Sequence, residues 1–367
     1  MRFYICDLKT GDLLDEYPLQ LGSPLERRLK SYGTGTLRLP VLHPATPENW
    51  AAVLRPWRVL IVVCDDDDRI VWGGIPTNLA TSAAPLIDIQ CVTVEKYFDR
   101  RYMPTASYRN KDQTSDIARA MAEHCGDTEV GIGLEYDTPE SGIKRDRDYY
   151  NDEDARVLTR LQQLSNVIHG FDWTIDLAWA DDDHSKVRKI FRTGYPALGY
   201  VTDTPEHTFT LVAGYPSPVT SFTHDHQWGD AEAATHVQAV GDGEGDDKPY
   251  SNPLTDSNRE ADGWPRLEER KTQQGVSQMA TLNAYGQQMA ERYFGGQSVI
   301  SITARLDAWP SPAEITLGDS ARIEINTDQL QLDEIWRIIG YQIDLAGGTW
   351  TPTLARIGDQ EDNDGTG

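Results

Sequence analysis

Apolar and polar residues alternate over much of the first hundred positions, which predicts a mostly β region. One strand opens at Phe3–Cys6, and another spans Gly35–Pro40. The clearest hairpin has an apolar strand at Arg58–Cys64, an acidic turn at Asp65–Asp68 and a returning strand at Arg69–Trp72. Strands bounded by turn residues in this way are typical of an antiparallel sheet.

Two local signals interrupt this sheet. Gly73 and Gly74 directly follow the hairpin and predict a bulge or a sharp bend, because glycine weakens regular strand pairing. Pro47 begins a segment that is typical of the first turn of a short helix reaching Trp50, since proline is tolerated at that position.

From about residue 105 the pattern changes to helices alternating with strands. Apolar residues four apart predict a helix that begins at Thr114, as its N-cap, and runs to Cys125. The segment Phe171–Trp179 alternates strictly and is the strongest strand signal of the chain, which favours core packing for its tryptophans. A second helix starts near Asn151. Its buried stripe is expected to comprise Val157, Leu158, Leu161, Leu164 and Ile168.

The rest of the chain is predicted to be β with one inserted helix. Glycine, proline and tyrosine crowd residues 194–218, which predicts a linker or irregular connection. Residues 241–263 form a long polar loop, and a helix follows from Val276 to Tyr293. Further strands are predicted at Val187–Phe191, Val219–Phe222, Thr235–Val240, Val299–Leu306, Ala321–Ile325, Ile335–Leu345 and Trp350–Ile357.

Length and composition indicate a folded protein of several parts. The chain has 367 residues, more than one hydrophobic core usually supports, so two to four domains or subdomains are expected. Hydrophobic residues make up 39% of it, yet no apolar run approaches the ~20 residues that a membrane-spanning helix needs. The N-terminus lacks the apolar core of a signal peptide, so we expect synthesis and folding in a cytosol.

The charge is strongly acidic, with 58 acidic against 34 basic residues and a formal net charge of −24. Such a surface repels duplex DNA and anionic membranes, because both are bound through clustered lysine and arginine. Simple solubility and adaptation to high salt stay open as other reasons for the charge. No CxxC pair is present, which disfavours zinc and redox sites. Buried, reduced thiols are expected at Cys6, Cys64, Cys91 and Cys125.

The best candidate for a metal site is the segment His224–His226. Both imidazoles fall on one face of a strand, because side chains alternate with period two, and Asp230 could join them as a ligand. A metal needs three or four converging ligands, and no residue further along the chain has a matching spacing. A polar strand end is therefore the preferred interpretation.

Acidic loops are the second candidate. Asp242, Glu244 and Asp246 alternate with glycines as in calcium-binding loops, but the sixth and twelfth positions lack the Gly and Glu of an EF-hand. A solvated acidic loop is favoured here, and equally at Asp65–Asp68 and Asp181–Asp183.

Motifs of the common catalytic classes are absent from the sequence. It contains no GxSxG, GxxxxGK[ST] or HExxH pattern, and with 58 acidic residues a glycosidase-like carboxylate pair has no specificity. Cys125 lies next to His124, but adjacent side chains on a helix point in different directions, so a core cysteine is preferred. No catalytic, cofactor-binding or metal-ligating residue is therefore assigned, and we expect a structural protein without enzymatic activity.

A family resemblance extends over nearly the whole chain and rests on strand starts, turns and core aromatics. The segments that carry it are Gly35–Pro40, Asn49–Trp50, Arg55–Val59, Val71–Ile75, Ser107–Arg109, the helix near Ile117, Tyr149–Trp173 and Leu317–Asp319. Together they resemble minor tail proteins, the baseplate hub proteins at the tail tip of long-tailed, non-contractile phages.

This resemblance implies an α+β, predominantly β fold with two tube-like β-barrel domains and an intervening α/β domain. Residues 1–104 would form the first barrel, 105–200 the α/β domain and 201–358 the second barrel with the polar loop and the inserted helix. Residues 359–367 are expected to be a flexible tail.

The resemblance also implies how the protein acts. A homotrimeric ring at the tail tip of the virion, assembled in the host cytoplasm, would close or adapt the tail tube and let DNA pass without binding it specifically. The implied neighbours are the distal tail protein, the tape measure protein and further tail-tip proteins, with no membrane and no cofactor. Acidic residues are expected to line any channel, and the 241–263 loop and the first hairpin are the expected interface elements.

Two other functions stay open. Ten tryptophans could stack on sugars, as in a cell-wall-binding or cell-wall-degrading tail-tip module. The other open function is that of an acidic assembly protein, either from a halophile or from a secretion apparatus built on the same tube architecture.

Overall fold

The chain is predominantly β, as the sequence predicts: strands account for 44% of it and helices for 17%. It divides into two compact units, the first formed by Met1–Ser221 with the chain from Ile302 onward and the second by Phe222–Ser301. The expected flexible tail at 359–367 lies outside the described residues. The computed structural model describes residues 1–81, 83–167, 169–229, 233–241, 248–273, 278–295 and 297–356.

A seven-stranded antiparallel sheet occupies the first ninety residues, in the order β2-β1-β6-β7-β8-β5-β3. The predicted hairpin is confirmed, since β6 and β7 pair across the acidic turn. The elements are β1 (Arg2–Asp7), β2 (Leu13–Glu16), β3 (Gln20–Ser23), β4 (Leu25–Arg28), β5 (Thr34–Pro40), α1 (Trp50–Val53), β6 (Val59–Cys64), β7 (Ile70–Thr81) and β8 (Leu86–Val92). The short β4 belongs to another sheet.

The predicted irregularity is displaced by one pair: the register between β6 and β7 shifts between Trp72 and Ile70. A bulge at Gly73 and Gly74 themselves is wrong, and the alternative of a sharp bend stays a prediction. Both glycines pair in regular register with β6, opposite Val62 and Ile61. Their missing side chains serve packing instead. A Cβ on Gly73 would lie 2.1 Å from the Leu177 side chain, and one on Gly74 would meet the Trp72 ring at the same distance.

The middle of the chain combines short sheets with two helices. A π-helical turn at Gln113–Ala118 leads directly into α2, and Asp112 caps it by accepting hydrogen bonds from the Thr114 and Ser115 amides. The prediction of Thr114 as N-cap is therefore wrong by two positions. The elements are β9 (Ala106–Asp112), α2 (Arg119–Gly126), β10 (Glu135–Asp137), β11 (Lys144–Tyr149), α3 (Val157–Ser165), β12 (Asp172–Trp179) and β13 (Val187–Gly194).

The second predicted helix begins later than expected. Asn151–Glu153 forms a separate 3₁₀ turn, and Asp154 has a left-handed φ of 50°, so the α-helix starts only at Val157. The buried stripe is confirmed at four of its five positions, whereas Ile168 lies outside the described residues.

One continuous core joins the first sheet to these middle elements. Tyr4, Leu60 and Val62 from the sheet are buried together with residues such as Leu161 of α3 and Trp173 of β12. β12 and β13 pair antiparallel and β10 adds in parallel, giving the sheet order β10-β13-β12. The middle elements thus cover one face of the first sheet.

A second seven-stranded sheet has the order β14-β20-β21-β22-β19-β15, with β4 added to β21. β14 lies within the predicted linker at 194–218 and pairs in parallel with β20, so that prediction missed a strand. β21 pairs with β20 along its first half and with β4 along its second half, on the same edge. The strands are β14 (His207–Val212), β15 (Val219–Gln227), β19 (Gln297–Arg305), β20 (Ser320–Asn326), β21 (Gln331–Asp344) and β22 (Thr349–Arg356).

The second unit contains a three-stranded sheet, in the order β17-β16-β18, and a helix packed on it. The polar segment 241–263 is not entirely loop, because it holds β17 and α4. The third predicted helix is confirmed from Met279 onward, and Val276 lies outside the described residues. The elements are β16 (His236–Val240), β17 (Leu254–Thr255), α4 (Ser257–Ala261), β18 (Glu268–Thr272) and α5 (Met279–Tyr293).

Candidate functional site

The histidine pair predicted as a metal candidate lies on β15. The rings of His224 and His226 meet edge to face with centroids 4.3 Å apart, so both side chains do share one side of the strand. The suggested third ligand, Asp230, lies outside the described residues. Within the described ranges, no three His, Cys, Asp or Glu side chains converge as metal ligands would.

The acidic turn at Asp65–Asp68 is engaged by internal partners. Asp65 accepts hydrogen bonds from the backbone and side chain of Arg69, and Asp68 binds the Arg2 guanidinium at 2.6 Å and the Tyr4 hydroxyl at 2.7 Å. Carboxylates used in this way fix the hairpin. Asp242, Glu244 and Asp246 lie outside the described residues.

The neighbouring His124 and Cys125 do not form a nucleophile and base. His124 Nε2 lies 3.1 Å from the Tyr102 carbonyl oxygen, and burial lowers the pKa of this imidazole. Cys125 is fully buried, and burial raises the pKa of its thiol to about 12. A thiol in that environment stays protonated at neutral pH and lacks nucleophilic reactivity. All four cysteines are buried and unpaired, as the sequence predicts.

One cluster of ion pairs in the first unit is centred on β12, and we call it the β12 joint. Carboxylates on this strand bind arginines from β4, β13 and β21, so charged side chains connect the middle sheet to the second seven-stranded sheet. Its members are Arg27, Asp172, Asp176, Arg192 and Arg337.

At one end of the β12 joint, Asp172 receives the Arg337 guanidinium of β21. The Nη2–Oδ2 distance is 2.6 Å, and the two side chains are only 13% and 11% exposed. The same carboxylate oxygen accepts the Leu198 amide at 3.1 Å, while Arg337 Nε donates to the Gly318 carbonyl at 3.2 Å. A buried ion pair with these additional hydrogen bonds fixes β21 relative to β12.

Gly318 is required at this point for a backbone reason. Its φ is +99°, and a Cβ there would lie 2.0 Å from the Leu198 carbonyl oxygen. The following residue, Asp319, accepts the Tyr200 amide at 2.7 Å and the Thr316 amide at 3.1 Å. The Leu317–Asp319 segment of the family resemblance is therefore a structural turn that fastens the connection after β13.

At the other end of the β12 joint, Asp176 lies between Arg27 of β4 and Arg192 of β13. Burial by itself raises the pKa of Asp176, but the charge of Arg27 and hydrogen bonds from both arginines hold that pKa below its usual value. For Arg27, burial alone lowers the pKa, and Asp176 more than offsets this, so the guanidinium stays charged.

The arginines and acids of this end line a cleft of about 520 Å³ between the outer face of the β10-β13-β12 sheet and the segment at Pro312–Thr316. Tyr341 of β21 lines it as well and donates its hydroxyl hydrogen bond to the Val71 carbonyl at 2.7 Å. Oppositely charged groups in direct contact hold positions and have no free charge for proton transfer. The chemistry that the β12 joint supports is rigid attachment.

A buried lysine escaped the sequence prediction. Lys189 of β13 is 2% exposed in the core between the first sheet and the middle elements. No carboxylate of the described residues lies within 4.0 Å of its ammonium group. Burial lowers its pKa to about 8, more than the negative charges near it can offset. The alternation of the strand places position 189 on the inward face. A lysine is nevertheless expected at the surface, because lysine is almost never fully buried.

Known structures share this architecture. The protein resembles the tail protein from Neisseria meningitidis MC58, with a TM-score of 0.60, 12% identity and 99% of each chain covered. It resembles the 43 kDa tail protein of prophage MuSo2 from Shewanella oneidensis at a TM-score of 0.56, with 13% identity over 97% of this chain and 98% of that one.

A third similar structure is the prophage tail protein gp18 from Listeria monocytogenes EGD-e, at a TM-score of 0.50 and 12% identity, with 97% of this chain and 95% of that chain covered. No protein-family model matches the chain, and no curated protein matches it by sequence. Identities this low establish the fold and not the activity. The chain thus has the fold of phage tail proteins.

Proposed function

We propose that this protein is a structural hub subunit of a phage tail tip, which forms a homotrimeric ring that closes or adapts the tail tube and lets DNA pass. The observation that carries the proposal is the fold similarity to two tail proteins over 97–99% of the chain at TM-scores of 0.56 and 0.60. Similarity of the whole chain, and not of one domain, favours a shared role in a tail.

The proposal includes the finer features that the sequence resemblance implies. The tail would be long and non-contractile, and the two seven-stranded sheets would belong to tube-like barrels in 1–104 and 201–358, separated by the α/β domain 105–200. The ring would contact the distal tail protein, the tape measure protein and other tail-tip proteins in the virion, after assembly in the host cytoplasm.

Open sheet edges support a role in assembly. β3 ends the first sheet and β14 ends the second, and within the described ranges no further strand pairs with either. Open edges are sites where another chain can add a strand, and soluble proteins usually cover them. Neighbouring subunits in a ring would cover them here.

The contacts that connect the sheets within the first unit also support a role in assembly. β4 leaves the first seven-stranded sheet region to pair with β21 of the second, and the β12 joint fastens β21 to the middle sheet. A subunit of a closed ring must keep a fixed angle between its contact surfaces, because errors accumulate around the ring. Rigid connections between layers meet that requirement.

The net charge of −24 suits a channel that DNA crosses. An acidic wall repels phosphates, so DNA slides past without being held. Cryo-electron microscopy of the purified assembly tests this: we expect three copies around a channel with acidic residues on its wall. A basic channel wall, or particles without a ring, would remove the hub assignment.

Absence of enzymatic activity is part of the proposal. The described chemical candidates are engaged structurally: His124 by a backbone carbonyl, and Asp65 and Asp68 by arginines. Incubation with purified cell wall separates the hub from a cell-wall module. The hub predicts no release of soluble fragments and no retention of the protein on the wall, and either result would favour the module.

A further inference from the structure

Arginines without carboxylate partners gather with aromatic rings on one part of the first unit. They come from the segment before β6, the 3₁₀ helix Val94–Arg100 with the residues after it, and the start of α3. We call this the cationic–aromatic surface. Its members are Arg55, Trp57, Arg100, Arg101, Tyr102 and Arg156.

Two arginine–aromatic pairs form the centre of this surface, and they are joined through consecutive residues of the chain. The Arg100 guanidinium lies 5.5 Å from the centre of the Trp57 ring, and the Arg156 guanidinium stacks 3.7 Å from the centre of the Tyr102 ring. Tyr102 and Arg156 also form a β-bridge, and the Arg101 carbonyl accepts the amide of the residue after Arg156. Backbone pairing therefore holds the stacked side chains in place.

The surface is accessible. Arg55 and Arg100 are exposed, Tyr102 is 47% exposed, and Trp57 and Arg156 are half-buried. Half-buried aromatic rings with guanidinium groups on their faces lose little conformational entropy when a partner covers them, because they are already held.

These arginines share the lack of an ion pair, which in the described part of the chain is also found at residues such as Arg147 and Arg356. Within the described residues, no carboxylate oxygen lies within 4.0 Å of the guanidinium groups of Arg55, Arg100, Arg101 and Arg156. Every other arginine among residues 1–92 has one. Those paired arginines are Arg2, Arg27, Arg28, Arg38, Arg58 and Arg69.

Three acids in neighbouring sequence are committed elsewhere, whereas Asp152 and Asp154, which precede Arg156, are exposed and form no ion pair within the described ranges. Asp7 binds Arg58 at 2.7 Å, and Asp99 binds Lys96 at 2.8 Å. Asp127 accepts the backbone amides of the turn that follows it, at 2.8 and 2.9 Å. In a chain with 24 more negative than positive charges, cations left over in one place are unusual and indicate a partner.

We propose that the cationic–aromatic surface is the basic half of a head-to-tail contact and that it binds an acidic face of a second copy of this chain. The inference rests on the proposed ring. A ring with more than two subunits is closed by heterologous contacts, in which one surface meets a different surface of the next copy. Because the chain is acidic, much of its surface can serve as the acidic face of this contact. The cationic–aromatic surface supplies the opposite charge.

A protein partner fits these side chains better than a nucleic acid. Tryptophan, tyrosine and arginine are the residues enriched at the centres of protein interfaces, where planar groups stack and exclude water. A nucleic acid is steered by the field of the whole protein, which here is strongly negative. Most charges of two acidic copies are farther apart than the Debye length, ~8 Å at physiological salt. Their repulsion is therefore screened, whereas contacts within the interface are not.

The test compares two triple variants with equal changes in charge. One is Arg55→Glu/Arg100→Glu/Arg156→Glu. The matched control reverses three exposed arginines outside this surface and outside the open sheet edges, Arg109→Glu/Arg119→Glu/Arg305→Glu, whose ion pairs are exposed and contribute little to stability. A second variant with glutamine at 55, 100 and 156 removes the positive charges without adding negative ones, in case the glutamate variant does not fold. Thermal melts verify that each protein is folded.

Molar mass is read by light scattering after size exclusion over a range of concentrations. We expect the native chain and the control to form trimers and the 55/100/156 variants to associate at least about tenfold more weakly. If both 55/100/156 variants formed trimers with undiminished affinity, the proposed role of the cationic–aromatic surface would be overturned. The proposed ring would stand. A native chain that stays monomeric would overturn the ring, and this contact with it.

Binding of a short DNA duplex is measured in parallel by fluorescence anisotropy. We expect none for the native chain at physiological salt. Duplex binding that the 55/100/156 variants lose and the control keeps would assign this surface to nucleic acid and overturn the protein contact.

Discussion

At the scale of single residues, the buried pair of Asp172 and Arg337 is expected to be the most sensitive part of the β12 joint. Arg337→Ala leaves the carboxylate buried without its partner, since the pair is only 11–13% exposed. We expect a loss of about 3–5 kcal/mol in the free energy of unfolding. Urea denaturation at pH 7 measures it.

The matched control for that loss is Arg322→Ala. Arg322 binds Asp333 at the same Nη2–Oδ2 distance, 2.6 Å, and donates a second hydrogen bond through Nε, but both side chains are about half exposed. Its removal should cost no more than about 1 kcal/mol. Equal effects of the two substitutions would contradict the role given to the joint.

Lys189 leads to a prediction about pH. Burial lowers the pKa of its ammonium from 10.5 to about 8, so the charged form destabilises the fold at neutral pH. The unfolded chain binds this proton more tightly, and stability contributed by this group therefore rises between pH 8 and 10.5. Lys189→Met should add about 1–3 kcal/mol at pH 7 and little above pH 10.

The measurement is the difference in unfolding free energy between native chain and variant at several pH values, because titration of other groups cancels in it. Lys111→Met is the control, since Lys111 is exposed and is not among the charges that shift the pKa of Lys189. A difference for Lys189→Met that does not change with pH would mean that the ammonium is not desolvated in the fold.

Sequence patterns could not reveal these residues. Arg337 and Asp172 are 165 positions apart and lie in unrelated strand patterns. Asp112 was overlooked as a cap because it precedes the apolar stripe, yet it accepts hydrogen bonds from both Thr114 and Ser141. Such roles follow from tertiary contacts, which local periodicity does not encode.

At the scale of elements, β4 is the strand on which the attachment of the second sheet depends most. It pairs with β21 opposite Gly340, where a Cβ would lie 2.7 Å from the Arg27 carbonyl oxygen. Gly340→Ala should displace β4 and cost about 1–3 kcal/mol. Hydrogen exchange should show faster exchange of the amides of Leu25–Arg28.

Gly295→Ala provides the control for this substitution. No heavy atom lies within 4 Å of the Cβ that it would add. We expect unchanged exchange in β4 and a change in stability within about 0.5 kcal/mol. Protection of β4 that survives Gly340→Ala would show that the strand tolerates the crowding.

Elements with strong internal patterns were predictable, and elements fixed by distant partners were not. The β6–β7 hairpin, the stripe of α3 and the strand β12 match the sequence prediction. Burial does not alternate along β12, because both faces of its first half are covered. β11 was missed because its sequence, Lys144–Tyr149, is mostly charged, and it is a strand only because β9 pairs with it. β4 likewise has one buried apolar residue and takes its place from β21.

At the scale of the whole molecule, the sequence resemblance to phage tail proteins and the fold similarity agree, although identity to the similar structures is only 12–13%. Separation of the chain at Phe222–Ser301 into its own unit was not predicted, because strands β15 and β19 continue across its boundaries without a break in pattern.

The central claim is that this chain is a shaped building block that closes into a ring. Sedimentation velocity of the purified protein, over a hundredfold range of concentration, tests it most directly. The account predicts a species of three times the 41.1 kDa chain mass that persists on dilution. A monomer at every concentration would contradict it.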